Sequence, residues 1–202
     1  MVMAEQFDIY TRDGVHRGVK DRSDVHRDGD WHRSVHVWIM RPSEHALLIQ
    51  QRAADKDTWP GYWDASVGGH LSAGESYEDA YREVEEELGV RIDPRTFIEL
   101  GVVAIELNPP EQPLITDREL CLVALARDDR PLDAYPFDTT ELTAVAALPL
   151  TGLRGLMDGR ATTIVRRDEA HTARVELRPD QLIPQPYLPL LADRAEQLLN
   201  PA

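Results

Sequence analysis

Three glutamates constrain this chain more than any other feature. In Arg82-Glu83-Val84-Glu85-Glu86-Glu87-Leu88-Gly89, the carboxylates of Glu83, Glu86 and Glu87 stand at i, i+3 and i+4. On an α-helix that spacing puts them on one face within a turn, while Glu85 points elsewhere. The surrounding residues predict a helix from Ser76 to Leu88: Ser76 can cap it, Asp79 sits where a capping-box acid would, and Gly89 stops it. Like charges so crowded repel, and a divalent cation relieves the repulsion. Mg²⁺ suits the arrangement, because it prefers carboxylate oxygens, keeps several waters and takes its remaining ligands from substrate phosphates. An acidic run is ordinarily a solvated helix face. Here, however, the glycine-punctuated loop Gly69-His70-Leu71-Ser72-Ala73-Gly74-Glu75 feeds into the helix. It brings flexible backbone and a fourth carboxylate beside the same face, where Arg82 adds an arginine.

The formal charge of −14 repels a phosphate backbone, so no nucleic-acid polymer is expected as a partner, and a phosphorylated small molecule needs a cation to bind. Cys121 is the single cysteine, which excludes an intrachain disulfide. The N-terminus MVMAEQFDIY lacks a basic-then-apolar signal pattern, and no apolar run is long enough to span a membrane. A cytoplasmic protein without a membrane partner is the expectation.

A length of 202 residues fits one globular domain. Residues 1–31 are polar and turn-rich, with turns at Asp13-Gly14 and Asp28-Gly29, and read as an N-terminal extension. A core spans 32–160, and a C-terminal hairpin and helix fill 161–202. Within the core, Val35–Met40 and Ala46–Gln50 read as strands joined by a tight loop at Arg41-Pro42-Ser43-Glu44, and a long loop follows from Arg52 to Trp63. Phe97–Leu107 and Leu114–Arg127 read as further strands, the second central, joined by the proline-rich segment Asn108–Pro113. Leu150–Met157 and Leu188–Leu199 read as helices, the latter amphipathic, and Thr162–Leu177 as an added hairpin.

The acidic segment resembles the signature of the Nudix hydrolase family. Gly69, Glu75, Arg82, Glu83, Val84, Glu86, Glu87, Gly89 and Val90 fill every specified position, and Trp59-Pro60-Gly61-Tyr62-Trp63 resembles the segment that precedes it. One departure is a spacer between Glu75 and Arg82 of six residues, Ser76 to Tyr81, where the family has seven. A later helix start would absorb it, whereas Glu75 stands to be displaced from its contact with the helix. The resemblance implies an α/β fold, a mixed β-sheet sandwiched between helices. It also implies metal-dependent hydrolysis of a diphosphate linkage in a small molecule. In that scheme Glu83, Glu86 and Glu87 are the Mg²⁺ ligands, with Mn²⁺ as the other candidate, Glu86 also serves catalysis, and Arg82 orients the glutamates and the loop.

The stretch from Val25 to Trp38 is similar to the branch related to isopentenyl-diphosphate isomerase. That enzyme uses a cysteine immediately before a Gly-His pair, and Gly68 stands there in this chain. Glu119 falls where the isomerase has a later glutamate and is the candidate general base. His26, His32, His70, Asp117 and Glu119 approximate the isomerase's metal ligands, a donor set suited to Mn²⁺ or Zn²⁺. Cys121 reads as a small buried apolar residue. Hydrolase is favoured over isomerase, and over a non-catalytic binding module because every carboxylate of the signature is present. Trp31, Trp38, Trp59 and Trp63 are candidates to stack on a ring of the substrate. The N-terminal extension and the C-terminal helix are candidates either to cover the site or to form a homodimer interface.

Overall fold

The computed structural model describes residues 5–112 and 115–200. Its centre is the strand β3 (His32–Arg41), which turns through Pro42–Glu44 into β4 (Ala46–Arg52). The short strands β5 (Trp63–Asp64) and β6 (Val67–His70) follow, then β7 (Ile98–Leu107), β8 (Asp117–Arg127), β9 (Leu142–Pro149), β10 (Thr162–Arg167) and β11 (Thr172–Leu177). Before them an antiparallel hairpin of β1 (Gln6–Tyr10) and β2 (His16–Asp21) leads into a short helix, α1 (Arg22–Asp28).

The main sheet runs β11-β10-β9-β4-β3-β8-β7, with β5 on β4 and β6 on β3. It is mixed, because β3 and β8 run parallel, His32 beside Glu119 through Met40 beside Arg127, while its other pairings are antiparallel. The period-two alternation of β3 and β8 supplies two separate cores. On one face Val35, Val37 and Ile39 pack with Leu122, Ala124 and Ala126 beneath α2 (Glu83–Leu88), whose Val84 and Leu88 point down. On the other, Trp38, Met40, Cys121, Val123 and Leu125 pack beneath α3 (Leu150–Met157) and α4 (Leu188–Leu199). Leu188 and Leu191 of α4 are almost fully buried there, worth about 1.5–3 kcal/mol each.

The expected α/β mixed sheet is present, and α3, α4 and the late hairpin keep their expected bounds. β8 is paired on both sides but starts at Asp117; its expected first residue, Leu114, and Pro113 of the preceding connection lie outside the described residues. One expectation needs correction. The acidic segment is not α-helical from Ser76: Ser76 and Asp79 do exchange the reciprocal bonds of a capping box, but a tight 3₁₀ turn covers Asp79–Arg82, and α-helix begins at Glu83. Asp28-Gly29, expected as a hairpin or loop turn, is the turn that ends α1, with Gly29 in the left-handed conformation. The first 31 residues also reach the core, since Phe7 and Val25 are fully buried. Among the described residues no helix is long and apolar enough to cross a membrane.

Candidate active site

The late start of α2 preserves the acidic face despite the short spacer. Arg82 sits where the tight turn becomes α-helix and gathers the carboxylates around it. It lies 2.9 Å from Glu75, 3.1 Å from Glu83 and 3.5 Å from Glu86, and donates to the Asp79 carbonyl at 2.9 Å. Glu75 keeps its contact with the helix and also accepts from the Ser72 amide at 2.7 Å. Glu85 faces away and pairs with Arg91.

The three glutamates differ sharply in environment. Glu86 is exposed, Glu83 half-buried and Glu87 buried. Burial, reinforced by the neighbouring carboxylates, pushes Glu83 up to about 7 and Glu87 up to about 8. Glu87 Oε2 has no hydrogen-bond partner, and neither has Oε1 of the adjacent buried Gln50. An unpaired buried carboxylate oxygen is costly. A divalent cation would satisfy it and lower both pKa values, although the ligand atoms of Glu83, Glu86 and Glu87 do not all lie within 4.8 Å of one another as those of the histidine cluster do.

Linkage makes that strain measurable. Both folded-state values lie above the 4.5 of an unfolded glutamate, so the stability they confer is complete below about pH 4.5 and is lost as pH rises through 7 to 8. Burial lowers His26 to about 4, which works in the opposite sense at lower pH. Between about pH 6.5 and 8 the carboxylates therefore dominate, and above about pH 8 their contribution levels off. The melting temperature of the metal-free protein is expected to fall across that window, less steeply in Glu87→Gln and less steeply with Mg²⁺. A flat wild-type profile would contradict the burial of Glu87.

A cleft of about 1570 Å³, open to solvent, lies against this face and is lined also by Arg22, Arg52, Lys56, Gly68, Gly69 and His70. Arg52, Gly68, Gly69 and His70 are shared with a narrower cleft of about 520 Å³ bounded by His36, Trp59, Asp64, Glu119, Ile183 and Gln185. The glycine pair lets a side chain pack closely on each face of the sheet. A Cβ on Gly69 would stand 2.7 Å from Glu83 Cγ, and one on Gly68 would stand 3.2 Å from the His36 ring, which approaches from the opposite face.

The second expected ligand set also assembles. His26, His32, His70 and Asp117 each offer a ligand atom, all within 4.8 Å of one another. His32 Nδ1 lies 3.1 Å from the Asp30 carbonyl, which only accepts, so that nitrogen carries the proton and Nε2 presents a lone pair. Nε2 of His26, Nε2 of His32 and Oδ1 of Asp117 are buried without partners. Buried polar atoms that converge without hydrogen-bond partners are what a bound cation would resolve, and the histidine-rich set suits Zn²⁺ or Mn²⁺. Glu119 stands beside this cluster rather than in it. It takes the Ser34 hydroxyl at 2.8 Å and lies 3.1 Å from His70 Nε2. Burial opposes its charge, but His70, His36 and His32 outweigh that and hold it well below the usual carboxylate range, while burial raises its neighbour Asp117.

Of the four tryptophans, Trp38 and Trp63 belong to the core, whereas Trp59 lines the narrower cleft with a positive φ of 54° just before Pro60. Three contributors carried no sequence signal: the ring of His36, the segment Ile183–Tyr187, and Phe7, which stacks on His32 at 5.2 Å. A buried histidine in an apolar strand and a proline-flanked tyrosine look like packing until the sheet places them.

This sheet, with an acidic helix facing a glycine-lined cleft, is a Nudix architecture, and the NUDIX domain model matches residues 30–169. The chain belongs to the Nudix hydrolase family, enzymes of phosphorus-containing anhydrides. It is 41% identical over 157 residues to Nudix hydrolase 3 of Arabidopsis thaliana, covering 76% of this chain but only 20% of that protein. It is 33% identical over 128 residues to the isopentenyl-diphosphate Delta-isomerase of Escherichia coli, covering 62% of this chain and 68% of that one. A Deinococcus radiodurans crystal structure matches with a TM-score of 0.57 and 25% identity, over 77% of this chain and 91% of its own.

Proposed function

We propose that the protein is a metal-dependent pyrophosphohydrolase that cleaves the diphosphate linkage of a small organic or nucleoside diphosphate derivative. In this reading it works in the cytoplasm as one domain, with residues 1–31 as an extension, 32–160 as the core and 161–202 as the C-terminal hairpin and helix. The observation that carries the proposal is the buried, unpaired Glu87 oxygen on the face shared with Glu83 and Glu86, opening onto a cleft that also holds Arg52 and Lys56.

Glu83, Glu86 and Glu87 hold Mg²⁺ or Mn²⁺ in this account. The ion supplies charge neutralisation at the phosphates and assists the attacking water. Arg82 keeps Glu75, Glu83 and Glu86 in register. Arg52 offers a cation to the diphosphate, while Lys56 is already paired with Glu141. Glu119 is the general base, ionised at any working pH, although the contacts that keep it ionised also weaken it as a base. His26, His32, His70 and Asp117 form a second metal site, which ties α1 of the extension to the core.

Isomerase chemistry fits less well. The place of its cysteine is Gly68, where the His36 ring takes up the room a side chain would need. Cys121 is fully buried, so it offers no exposed thiol in exchange.

The test is product release from ADP-ribose, thiamine diphosphate and isopentenyl diphosphate with and without Mg²⁺ or Mn²⁺, with isomerisation of the last followed in parallel. Metal-dependent cleavage that falls about 10²–10⁴-fold in Glu119→Gln supports the hydrolase and its base. Allylic product without hydrolysis would refute it.

A further inference from the structure

His36 takes no part in the chemistry so far, yet it is buried in the wall of the narrower cleft. Its Nδ1 lies 2.6 Å from the Tyr187 hydroxyl, and that hydroxyl accepts the Trp38 indole N–H at 3.2 Å. An indole nitrogen only donates, so the tyrosine oxygen is used as an acceptor there and its own hydrogen is free for His36 Nδ1. The other ring nitrogen, Nε2, faces Glu119 Oε2 at 3.9 Å, the same oxygen that takes the Ser34 hydroxyl. The ring can occupy this place because residue 68 is glycine.

We propose that His36 is a positioning residue for Glu119: anchored by Tyr187, it holds Nε2 at 3.9 Å from the carboxylate, a charge contact longer than a hydrogen bond, and, with the bonds from Ser34 and His70, fixes the orientation of Glu119 at the narrower cleft. The inference rests on Glu119 being the base. With the Tyr187 hydroxyl donating to Nδ1 of the neutral ring, Nε2 carries the proton. Around the ring stand the Cys121 thiol, which is its nearest hydrogen-bonding neighbour, and the carboxylates of Asp64 and Glu119. The anchor comes from the residue just before α4, which lies 151 positions along the chain. The C-terminal helix is thereby connected to the base through two side chains.

The experiment is nitrogen-15 NMR of the histidine side chains, with His36 assigned by its absence in His36→Gln, combined with steady-state kinetics on whichever of ADP-ribose, thiamine diphosphate and isopentenyl diphosphate is cleaved fastest. The expected spectrum has a slowly exchanging proton on His36 Nε2. Tyr187→Phe should lower kcat about tenfold at unchanged KM. His36→Gln, whose amide nitrogen reaches the place of Nε2, should keep most of kcat, and His36→Leu should not. An unprotonated Nε2, or Tyr187→Phe with unaltered kcat, overturns the inference while an inactive Glu119→Gln leaves the hydrolase reading standing. Full activity in Glu119→Gln removes the base and the inference with it.

Discussion

Glu87→Gln is expected to lower metal-dependent turnover by about a thousandfold, because loss of cation binding forfeits several kcal/mol of stabilisation in the transition state. The substitution is nearly isosteric, and it removes a charge whose pKa burial has already pushed up to about 8. The protein should therefore fold normally and, without metal, melt no lower than wild type at alkaline pH. Glu86→Gln removes a ligand from an exposed position and should also depress turnover, with little change in stability. Equal activity in Glu87→Gln and wild type would remove the acidic face from the chemistry. A collapse of helicity in Glu87→Gln would instead mean that the carboxylate is structural.

The second large effect is on stability. Gly89 ends α2 with φ at +67°, and a Cβ there would stand 2.7 Å from the Pro136 carbonyl oxygen and 2.8 Å from its ring. Gly89→Ala combines a left-handed conformation, costing roughly 1–2 kcal/mol, with an overpacked contact costing roughly 1–3 kcal/mol. Thermal unfolding is expected to shift down by about 5–12 °C. Gly74→Ala provides the control. Its φ of +84° is also positive, but nothing lies within 4 Å of the added carbon, so only the conformational part of the loss should remain. Equal losses in the two variants would contradict the close approach of Pro136.

These effects divide along the line between local and long-range information. The i, i+3, i+4 spacing of Glu83, Glu86 and Glu87 and the stop at Gly89 are local, so they could be read directly. The bounds of α3 and α4 follow from apolar periodicity in the same way. The start of the acidic helix could be read only in part: Ser76 and Asp79 do close as a capping box, but the chain runs as a tight 3₁₀ turn as far as Arg82 before α2 begins, which no local pattern signals. The N-terminal extension hides its contribution differently. Its polar, turn-rich composition says nothing of Phe7 stacking on His32 or of His26 facing Asp117, contacts that exist only once β1 and α1 fold over the sheet. Glu119 and His70 are separated by 49 residues and meet because β3 stands between β6 and β8. A pairing made by sheet order has no sequence periodicity to announce it.

The most direct test of the account is where a cation binds. Mn²⁺ soaked into crystals and located by its anomalous scattering should appear against Glu83, Glu86 and Glu87, and that peak should vanish in Glu87→Gln while any ion among His26, His32, His70 and Asp117 remains. Manganese confined to the histidine cluster in the wild-type protein, together with undiminished cleavage by Glu87→Gln, would contradict the assignment of the acidic helix as the catalytic centre.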